Sequence, residues 1–195
     1  MTAKPGGAHG SPYHPEPMWV PRKRFVRSQV PPAIFHWLVD RASLTQRIIG
    51  ACDGQFRVQV LSQHWIRPMS NEVQALGMRM SGRALVRQVQ LLCNDIPWVY
   101  ARTVIPPRTL TGHQRRLAHL ESRSLGAMLF ADPSMRRGEL QLARLTGRDK
   151  LHAIVVRQLG QSPAVMWGRR SIFTLARKPL LVSEIFLPAI QGHKI

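Results

Sequence analysis

Residues 84–92 have the sequence ALVRQVQLL, and this near-alternation of apolar and polar side chains predicts a β-strand. Neighbouring side chains of a strand point to opposite faces, so Arg87 shares a face with Leu85 and Val89. We expect that apolar face to line a core, where an isolated charge is costly. The 195-residue chain has 28 Lys and Arg but only 10 Asp and Glu, so most cations lack an internal acidic partner. Arg87 therefore indicates an anion from outside the protein; a strand-end position or a pair with one of the few acids is the alternative.

Two further predicted strands also place a charge on an apolar face. In residues 179–187 (PLLVSEIFL), Glu184 lies between apolar neighbours on its face. In residues 98–105 (WVYARTVI), Arg102 shares a face with aromatic side chains. Three such charges on nearby strands, with Arg87 as the third, predict a pocket lined by two cations and one acid. An internal arginine–glutamate bridge is the alternative interpretation.

The order of the predicted elements indicates an α+β fold, in which helices pack over an antiparallel sheet and enclose a ligand pocket. A hairpin is expected between residues 84–92 and 98–105, with its turn at Asn94 and Asp95. Residues 138–158 fit either a strand or a helix. The other expected elements are helices over residues 33–41, from Ser43, from Thr111 through Leu120 and over 125–130, and strands from Phe56, over 166–176 and over 179–187.

The chain divides into a tail and one domain. Residues 1–29 are rich in Gly, Pro and His and contain the basic run of residues 22–24, so we expect a flexible tail. This tail is expected to be solvated, and contact with RNA or lipid headgroups is the alternative. Residues 30–195 are long enough to bury a sizeable core and are predicted to form a single domain.

Composition limits the classes of partner. The formal charge of +18 and pI of about 11.7 predict a surface that attracts anions. No stretch approaches the roughly 20 apolar residues that cross a bilayer, so stable membrane insertion is not expected. Cys52 and Cys93 are not predicted to form a disulfide framework, which favours a reduced, cytoplasmic setting. The histidines are scattered without ligand spacing, and we predict no metal site.

Two predicted helix starts could hold an anion through backbone N–H groups, which are unpaired in the first turn of a helix. Ser43 is expected to cap a helix that begins at Leu44, and Ser124 to cap one that begins with Leu125 and Gly126. Every helix has such an end, so these starts indicate an anion site only in combination with the charged strand residues.

Four segments carry a resemblance to the chorismate lyase family: residues 85–106 (LVRQVQLLCNDIPWVYARTVIP), 124–130 (SLGAMLF), 167–173 (WGRRSIF) and 178–189 (KPLLVSEIFLPA). The resemblance extends from Ser43 to Ala189, which is most of the predicted domain. It implies an antiparallel sheet covered by helices. It also implies an enzyme that converts chorismate to 4-hydroxybenzoate and pyruvate, without a cofactor, for ubiquinone synthesis.

The resemblance also implies roles for individual residues. The ligand-contacting positions of the family fall on Leu44, Arg87, Leu125 and Glu184, and Arg102 matches a second arginine of the site region. Leu44 stands where the family has methionine. We expect Arg87 to hold the ring carboxylate, Arg102 the second carboxylate, and Glu184 to face the ring hydroxyl as proton donor or acceptor. The backbone amides of Leu44 and Leu125 would complete the anion sites.

Two other classes of function compete with the enzyme. A related sensor domain of bacterial transcription regulators would bind a small effector without chemistry, but it normally follows a DNA-binding domain that the first 30 residues are too short and Pro-rich to supply. A nucleic-acid-binding protein would rest on charge alone, since no RNA-recognition or zinc signature occurs. We therefore predict a monomer whose partner is the small-molecule substrate, with no nucleic acid bound.

Overall fold

The computed structural model describes residues 14–160 and 162–193, which form one eight-stranded antiparallel sheet with helices packed on it. The strands are Val20–Pro21 (β1), Phe56–Ile66 (β2), Ala84–Cys93 (β3), Ile96–Ile105 (β4), Arg136–Arg137 (β5), Gln141–Thr146 (β6), Val165–Leu175 (β7) and Lys178–Phe186 (β8). Their order across the sheet is β1-β6-β7-β8-β4-β3-β2, and β5 pairs with β7. The predicted α+β class is confirmed.

The α-helices are Pro32–Val39 (α1), Leu44–Ala51 (α2), Ser70–Ala75 (α3), Leu125–Ala131 (α4) and Lys150–Leu159 (α5). Short 3-10 helices span Arg22–Arg24, Arg27–Gln29, Pro107–Thr109, Gly112–His119 and Pro188–Gly192. The predicted helix after Thr111 is therefore present as a 3-10 helix. Residues 138–158, which fit either type, contain both β6 and α5. Within the described ranges, no helix is long and apolar enough to cross a membrane.

The first central hairpin forms where the sequence predicts it, and the second joins the strands predicted over residues 166–176 and 179–187. Asn94 and Asp95 join β3 to β4 with φ values of 49° and 63°. Positive φ at both central residues is the conformation of a type I′ hairpin turn, which Asn and Asp adopt at low cost. Ala176 and Arg177 join β7 to β8 with φ values of 46° and 65°. These two hairpins, joined through the pairing of β4 with β8, form the middle of the sheet.

Strand register places two rows of side chains on one face of the sheet. The first, which we call the Arg87 row, runs from Arg87 to Thr103, Val182 and Ser171, each paired directly with the next. Directly paired residues of an antiparallel sheet point to the same side. The row crosses β3, β4, β8 and β7, so its two ends lie about 14 Å apart at roughly 4.8 Å per strand.

The second row, which we call the Glu184 row, lies two residues along the same strands. It runs from Val89 to Ala101, Glu184 and Arg169. Because side chains alternate with a period of two, both rows face the same side of the sheet. The opposite face packs on α5, as in the buried cluster that joins Tyr100 of β4 to Leu151 of α5. The face that carries the two rows is therefore the one that does not pack on α5.

The described part of the predicted tail, residues 14–29, makes defined contacts with the domain. Strand β1 pairs with β6 and forms one edge of the sheet. The carboxylate of Glu16 accepts the backbone N–H groups of Ser70 at 2.6 Å and Asn71 at 2.7 Å, at the start of α3. The folded part of the chain therefore begins before residue 30, and residues 1–13 of the predicted tail lie outside the described residues. Composition missed these contacts because backbone pairing at a sheet edge does not require apolar side chains.

The expectation that Cys52 and Cys93 form no disulfide framework is wrong for this pair, because the two residues form a disulfide with their Cα atoms 5.7 Å apart. Cys52 directly follows α2, and Cys93 lies opposite Phe56 at the start of β2. The turn from α2 into β2 therefore brings together cysteines that are 41 residues apart in sequence. The inference of a reduced compartment loses this support.

Candidate functional site

A cavity lies between the face that carries the two rows and the first turns of α2 and α4. Its charged lining among the described residues consists of Arg87, Arg137, Arg169 and Glu184. Three arginines and one glutamate give this lining a net charge of +2. Leu129 and Phe173 are among its apolar lining residues. Such a cavity suits a small ligand that has an apolar body and carries negative charge.

The floor of the cavity is made of short side chains. Ala101, Thr103 and Val182 occupy the middle of the two rows, between Arg87 on β3 and Arg169 on β7. Because these residues are small, they leave open space above strands β4 and β8. Longer side chains at these positions would fill the space that a ligand needs.

Arg87 lies at one end of the cavity and is buried, with 2% of its surface exposed. Its Nη1 donates to Gln63 Oε1 at 3.3 Å, and its Nη2 donates to the carbonyl oxygens of Glu121 at 2.7 Å and Arg123 at 3.4 Å. Among the described residues Arg87 forms no ion pair. Burial lowers the pKa of Arg87, which reflects the cost of an uncompensated charge. Arg87 is therefore a buried cation whose hydrogen-bond partners are all neutral.

Gln63 positions this guanidinium. It lies directly opposite Arg87 on β2, and its Nε2 donates to the carbonyl oxygen of Ala118 at 2.8 Å. The amide group thereby spans Arg87 and the 3-10 segment before α4. A neutral partner fixes the direction of the guanidinium without neutralising it.

Glu184 lies beside Arg169 at the other side of the floor. The Nε of Arg169 donates to Glu184 Oε2 at 2.5 Å, and its Nη1 donates to the carbonyl oxygens of Trp37 at 2.7 Å and Asp40 at 2.6 Å. Arg169 is 1% exposed whereas the Glu184 side chain is 17% exposed. The Oε1 atom of Glu184 accepts no hydrogen bond from the described residues, so it can accept one from a ligand. The alternative interpretation, an internal arginine–glutamate bridge, thus holds for Glu184, with Arg169 as its partner.

The starts of α2 and α4 meet above the cavity. The hydroxyls of Thr45 and Ser124 are hydrogen-bonded at 2.7 Å, and Ser124 also caps α4 by accepting the N–H of Ala127. A Cβ atom on Gly126 would lie 2.9 Å from Thr45 Oγ1, so glycine permits this close approach. The two helix starts therefore form one contiguous cover.

Leu44, Leu125 and Gly126 line the cavity, as expected for the two helix starts. Ser43 occupies the N-cap position of α2, but its side chain makes no capping hydrogen bond. In the described residues no acceptor binds the backbone N–H groups of Leu44 and Leu125. These groups therefore remain available to a carboxylate oxygen.

Arg102 does not belong to this site, which corrects the sequence prediction. It pairs with Gln88 and Ser183, so it points to the opposite face from Arg87. Its Nε and Nη2 donate to the two carboxylate oxygens of Glu72 at 2.7 and 3.0 Å, with both side chains almost fully buried. Burial opposes the charge on Arg102, but the hydrogen bonds and charge of Glu72, together with Tyr100, outweigh this effect and raise the pKa of Arg102. Arg102 is a structural cation whose partner, on the unpredicted helix α3, was not visible in the strand pattern.

Two arginines of the cavity, Arg169 and Arg137, were not among the residues predicted from the sequence. Arg169 lies on a predicted strand and alternates with Trp167 and Ser171, so the signal that identified Arg87 was present there as well. Arg137 lies in the two-residue strand β5, where no alternation can be seen. As for metal ligands, residues 14–160 and 162–193 contain no cluster of three or more His, Cys, Asp or Glu side chains suited to an ion.

Comparison with known proteins identifies the family. The family model described as chorismate lyase matches residues 17–194. The chain belongs to the chorismate lyase family. It is 42% identical over 154 residues to a probable chorismate pyruvate-lyase of Methylococcus capsulatus, covering 79% of this chain and 94% of the relative. It is 36% identical over 179 residues to one of Nitrosomonas europaea, covering 92% and 94%. A third, from Azoarcus, is 44% identical over 160 residues, covering 80% and 84%.

Solved structures of another class share the fold of this chorismate lyase family member. The ligand-binding domain of a putative GntR-family regulator from Bordetella bronchiseptica superposes with a TM-score of 0.51 at 17% identity, covering 70% of this chain and 86% of that domain. The C-terminal domain of a histidine utilization repressor from Pseudomonas syringae gives 0.51 at 14% identity, covering 72% and 96%. At these identities the likeness concerns the fold alone.

Proposed function

We propose that this protein is a chorismate lyase, which eliminates pyruvate from chorismate and leaves 4-hydroxybenzoate for ubiquinone synthesis. The family match and the names of relatives at 36–44% identity support this activity. The cavity itself supports the substrate class. Its charged lining of three arginines and one glutamate complements a small dianion, and this match is the observation that carries the proposal.

Substrate binding is assigned to one end of the cavity. Arg87 binds the ring carboxylate, because it is a buried cation without an acidic partner among the described residues. The backbone N–H groups of Leu44 and Leu125, with Gly126 beside them, donate further hydrogen bonds to the bound anion. Leu44 acts through its backbone, so the change from the methionine of the family leaves this contact intact.

Glu184 faces the hydroxyl of the ring. Its free Oε1 accepts a hydrogen bond from that hydroxyl, while Arg169 holds Oε2 and fixes the orientation of the carboxylate. A group placed beside the reacting carbons can assist proton transfer and is worth about 10²- to 10⁴-fold in rate. Arg169 does not need to touch the substrate and is a positioning residue.

The elimination balances without any added reactant. The bond between a ring carbon and the oxygen of the enolpyruvyl ether breaks, and the neighbouring ring carbon loses a proton. The electrons of that C–H bond complete the aromatic ring of 4-hydroxybenzoate. The departing enolate of pyruvate takes up a proton at its methylene carbon and becomes the keto acid. The step is redox-neutral and needs no oxidant or reductant, which agrees with the proposal that no cofactor takes part.

A ligand-binding domain without chemistry is the second candidate, because the fold is shared with sensor domains of regulators. The chorismate lyase family match over residues 17–194 favours the enzyme. Cytoplasmic location, a monomeric state and the absence of bound nucleic acid stay predictions from sequence.

Incubation of the purified protein with chorismate tests the proposal directly. We expect 4-hydroxybenzoate to appear by absorbance and pyruvate to appear in equal amount by a coupled assay. The Glu184→Gln variant is expected to lose about 10²- to 10⁴-fold in kcat, whereas Glu139→Gln, an exposed residue outside the cavity, retains the wild-type rate. Binding of 4-hydroxybenzoate without turnover of chorismate by the wild type would instead support the sensor-type domain.

A further inference from the structure

A second, partly buried cation faces the cavity beside Glu184. Arg137 projects from β5, which lies next to Phe173 of β7, and it lines the cavity. Its guanidinium carbon lies 5.2 Å from the centre of the Phe173 ring. Its Nε donates to Ser171 Oγ at 3.2 Å and its Nη1 donates to the carbonyl oxygen of Arg41 at 2.9 Å. All of these contacts are with neutral groups.

No acid neutralises Arg137 within the described part of the chain. Burial and the nearby Arg169 lower the pKa of Arg137 to about 10, while the charge of Glu184 partly offsets this effect. Glu184 already pairs with Arg169. The cavity is therefore left with two uncompensated cations, Arg87 at one end and Arg137 at the other.

The register gives the two cations their separation. Arg87 starts the Arg87 row, and Ser171, the hydrogen-bond partner of Arg137, ends it. The backbones of Arg87 and Ser171 lie about 14 Å apart across three strand spacings, and Arg137 reaches Ser171 from β5, one strand further out. An anion bound at one guanidinium therefore leaves the other free for a second anionic group.

From this placement we infer that Arg137 binds the second carboxylate of the substrate, the one on the enolpyruvyl group that leaves as pyruvate. The inference rests on the proposed function. With the ring carboxylate at Arg87 and the ring hydroxyl at Glu184, an ether substituent next to that hydroxyl can face Arg137, which lines the same cavity and feels the charges of Glu184 and Arg169. This assignment replaces Arg102, which pairs with Glu72 on the other face. It also distinguishes substrate from product, because 4-hydroxybenzoate lacks the group that Arg137 holds.

Binding of two stable aromatic acids tests the role of Arg137 independently of turnover. The probes are 4-hydroxybenzoate and 3-(1-carboxyvinyloxy)-4-hydroxybenzoate, whose ring is already aromatic and cannot undergo the elimination. In Arg137→Met we expect the Kd of the dicarboxylate, measured by calorimetry, to rise about 10- to 100-fold, as for loss of a charged hydrogen bond. The Kd of 4-hydroxybenzoate is expected to change less than about twofold, which also reports that the variant is folded.

Arg136→Met is the matched control, because Arg136 is the exposed neighbour of Arg137 on β5 and its removal lowers the net charge equally. Its dicarboxylate Kd is expected to stay near the wild-type value, and Arg137→Lys is expected to lie between the wild type and Arg137→Met. Equal weakening of both probes by Arg137→Met, or no weakening of either, would overturn the assignment. Failure of the proposed function is a separate result, because it would appear as absent turnover of chorismate by the wild type.

Discussion

At the scale of single residues, Arg87 and Arg102 give the same signal in the sequence but have different environments. Both are arginines on apolar strand faces. Arg102 contacts Glu72 through two hydrogen bonds, whereas Arg87 contacts neutral acceptors. Strand alternation identifies a buried charge, but only the packing of a distant element decides whether that charge has an internal partner. The candidate site follows from that difference.

Arg87→Gln is expected to weaken binding of both 4-hydroxybenzoate and chorismate. The variant removes the cation that holds the shared ring carboxylate, and the loss of a charged hydrogen bond corresponds to about 10- to 100-fold in Kd. Calorimetry with 4-hydroxybenzoate measures the effect. Wild-type affinity in a folded Arg87→Gln protein would exclude Arg87 from the anion site.

Arg102→Met is expected to affect stability instead of binding. The change leaves the carboxylate of Glu72 buried without its counter-ion, which costs about 3–5 kcal/mol of unfolding free energy. Urea denaturation measures this loss, and adding Glu72→Gln to the variant is expected to recover part of it. The Kd of 4-hydroxybenzoate for the folded variant is expected to equal that of the wild type; a selective loss of binding with full stability would return Arg102 to the site.

At the scale of elements, α2 and α4 form the cover of the cavity and are joined by the hydroxyls of Thr45 and Ser124. Thr45→Val keeps the shape of the side chain but removes this hydrogen bond, worth about 1 kcal/mol net. We expect 4-hydroxybenzoate to dissociate about fivefold faster, as stopped-flow displacement would measure. Thr146→Val is the control, because it removes a hydroxyl that bonds to Asp149 and does not line the cavity. An unchanged dissociation rate in Thr45→Val would mean that this contact does not hold the cover.

Most elements could be predicted because their signals are local. Strands β3 and β4 alternate, and Asn94 and Asp95 between them favour the turn that joins them. Ser124 is likewise a local cap signal, and the structure confirms its hydrogen bond to Ala127. The elements that were missed depend on partners distant in sequence. The two-residue strand β5, which carries Arg137, exists only through pairing with β7.

The candidate site could also be predicted only in part. Arg87, Glu184 and the two helix starts follow from alternation and capping, and the structure brings all of them to one cavity. The ion pairs could not be predicted from the sequence. The pair of Glu184 with Arg169 depends on the order of the strands, and the pair of Arg102 with Glu72 depends on the position of α3. The disulfide between Cys52 and Cys93 was not predicted either, because it also joins residues that are distant in sequence.

At the scale of the whole molecule, the net charge of +18 surrounds a cavity that itself carries a net positive lining. Such a field attracts a dianion before any contact forms, and salt screens it over about 10 Å at 0.1 M ionic strength. We expect kcat/KM for chorismate to fall severalfold between low and physiological salt, while kcat stays constant. Steady-state assays at a series of NaCl concentrations measure this; kcat/KM independent of salt would show that long-range attraction does not assist capture.

The fold alone does not select between enzyme and sensor, since the regulator domains share it at a TM-score of about 0.5. The residues that line the cavity and their placement, and not the fold, therefore determine the function. A crystal structure of the protein with 4-hydroxybenzoate tests that placement most directly. We predict the carboxylate of the ligand within hydrogen-bond distance of Arg87 and its hydroxyl within that distance of Glu184 Oε1. A ligand bound outside this cavity, or bound inside it without contact to either side chain, would contradict the account.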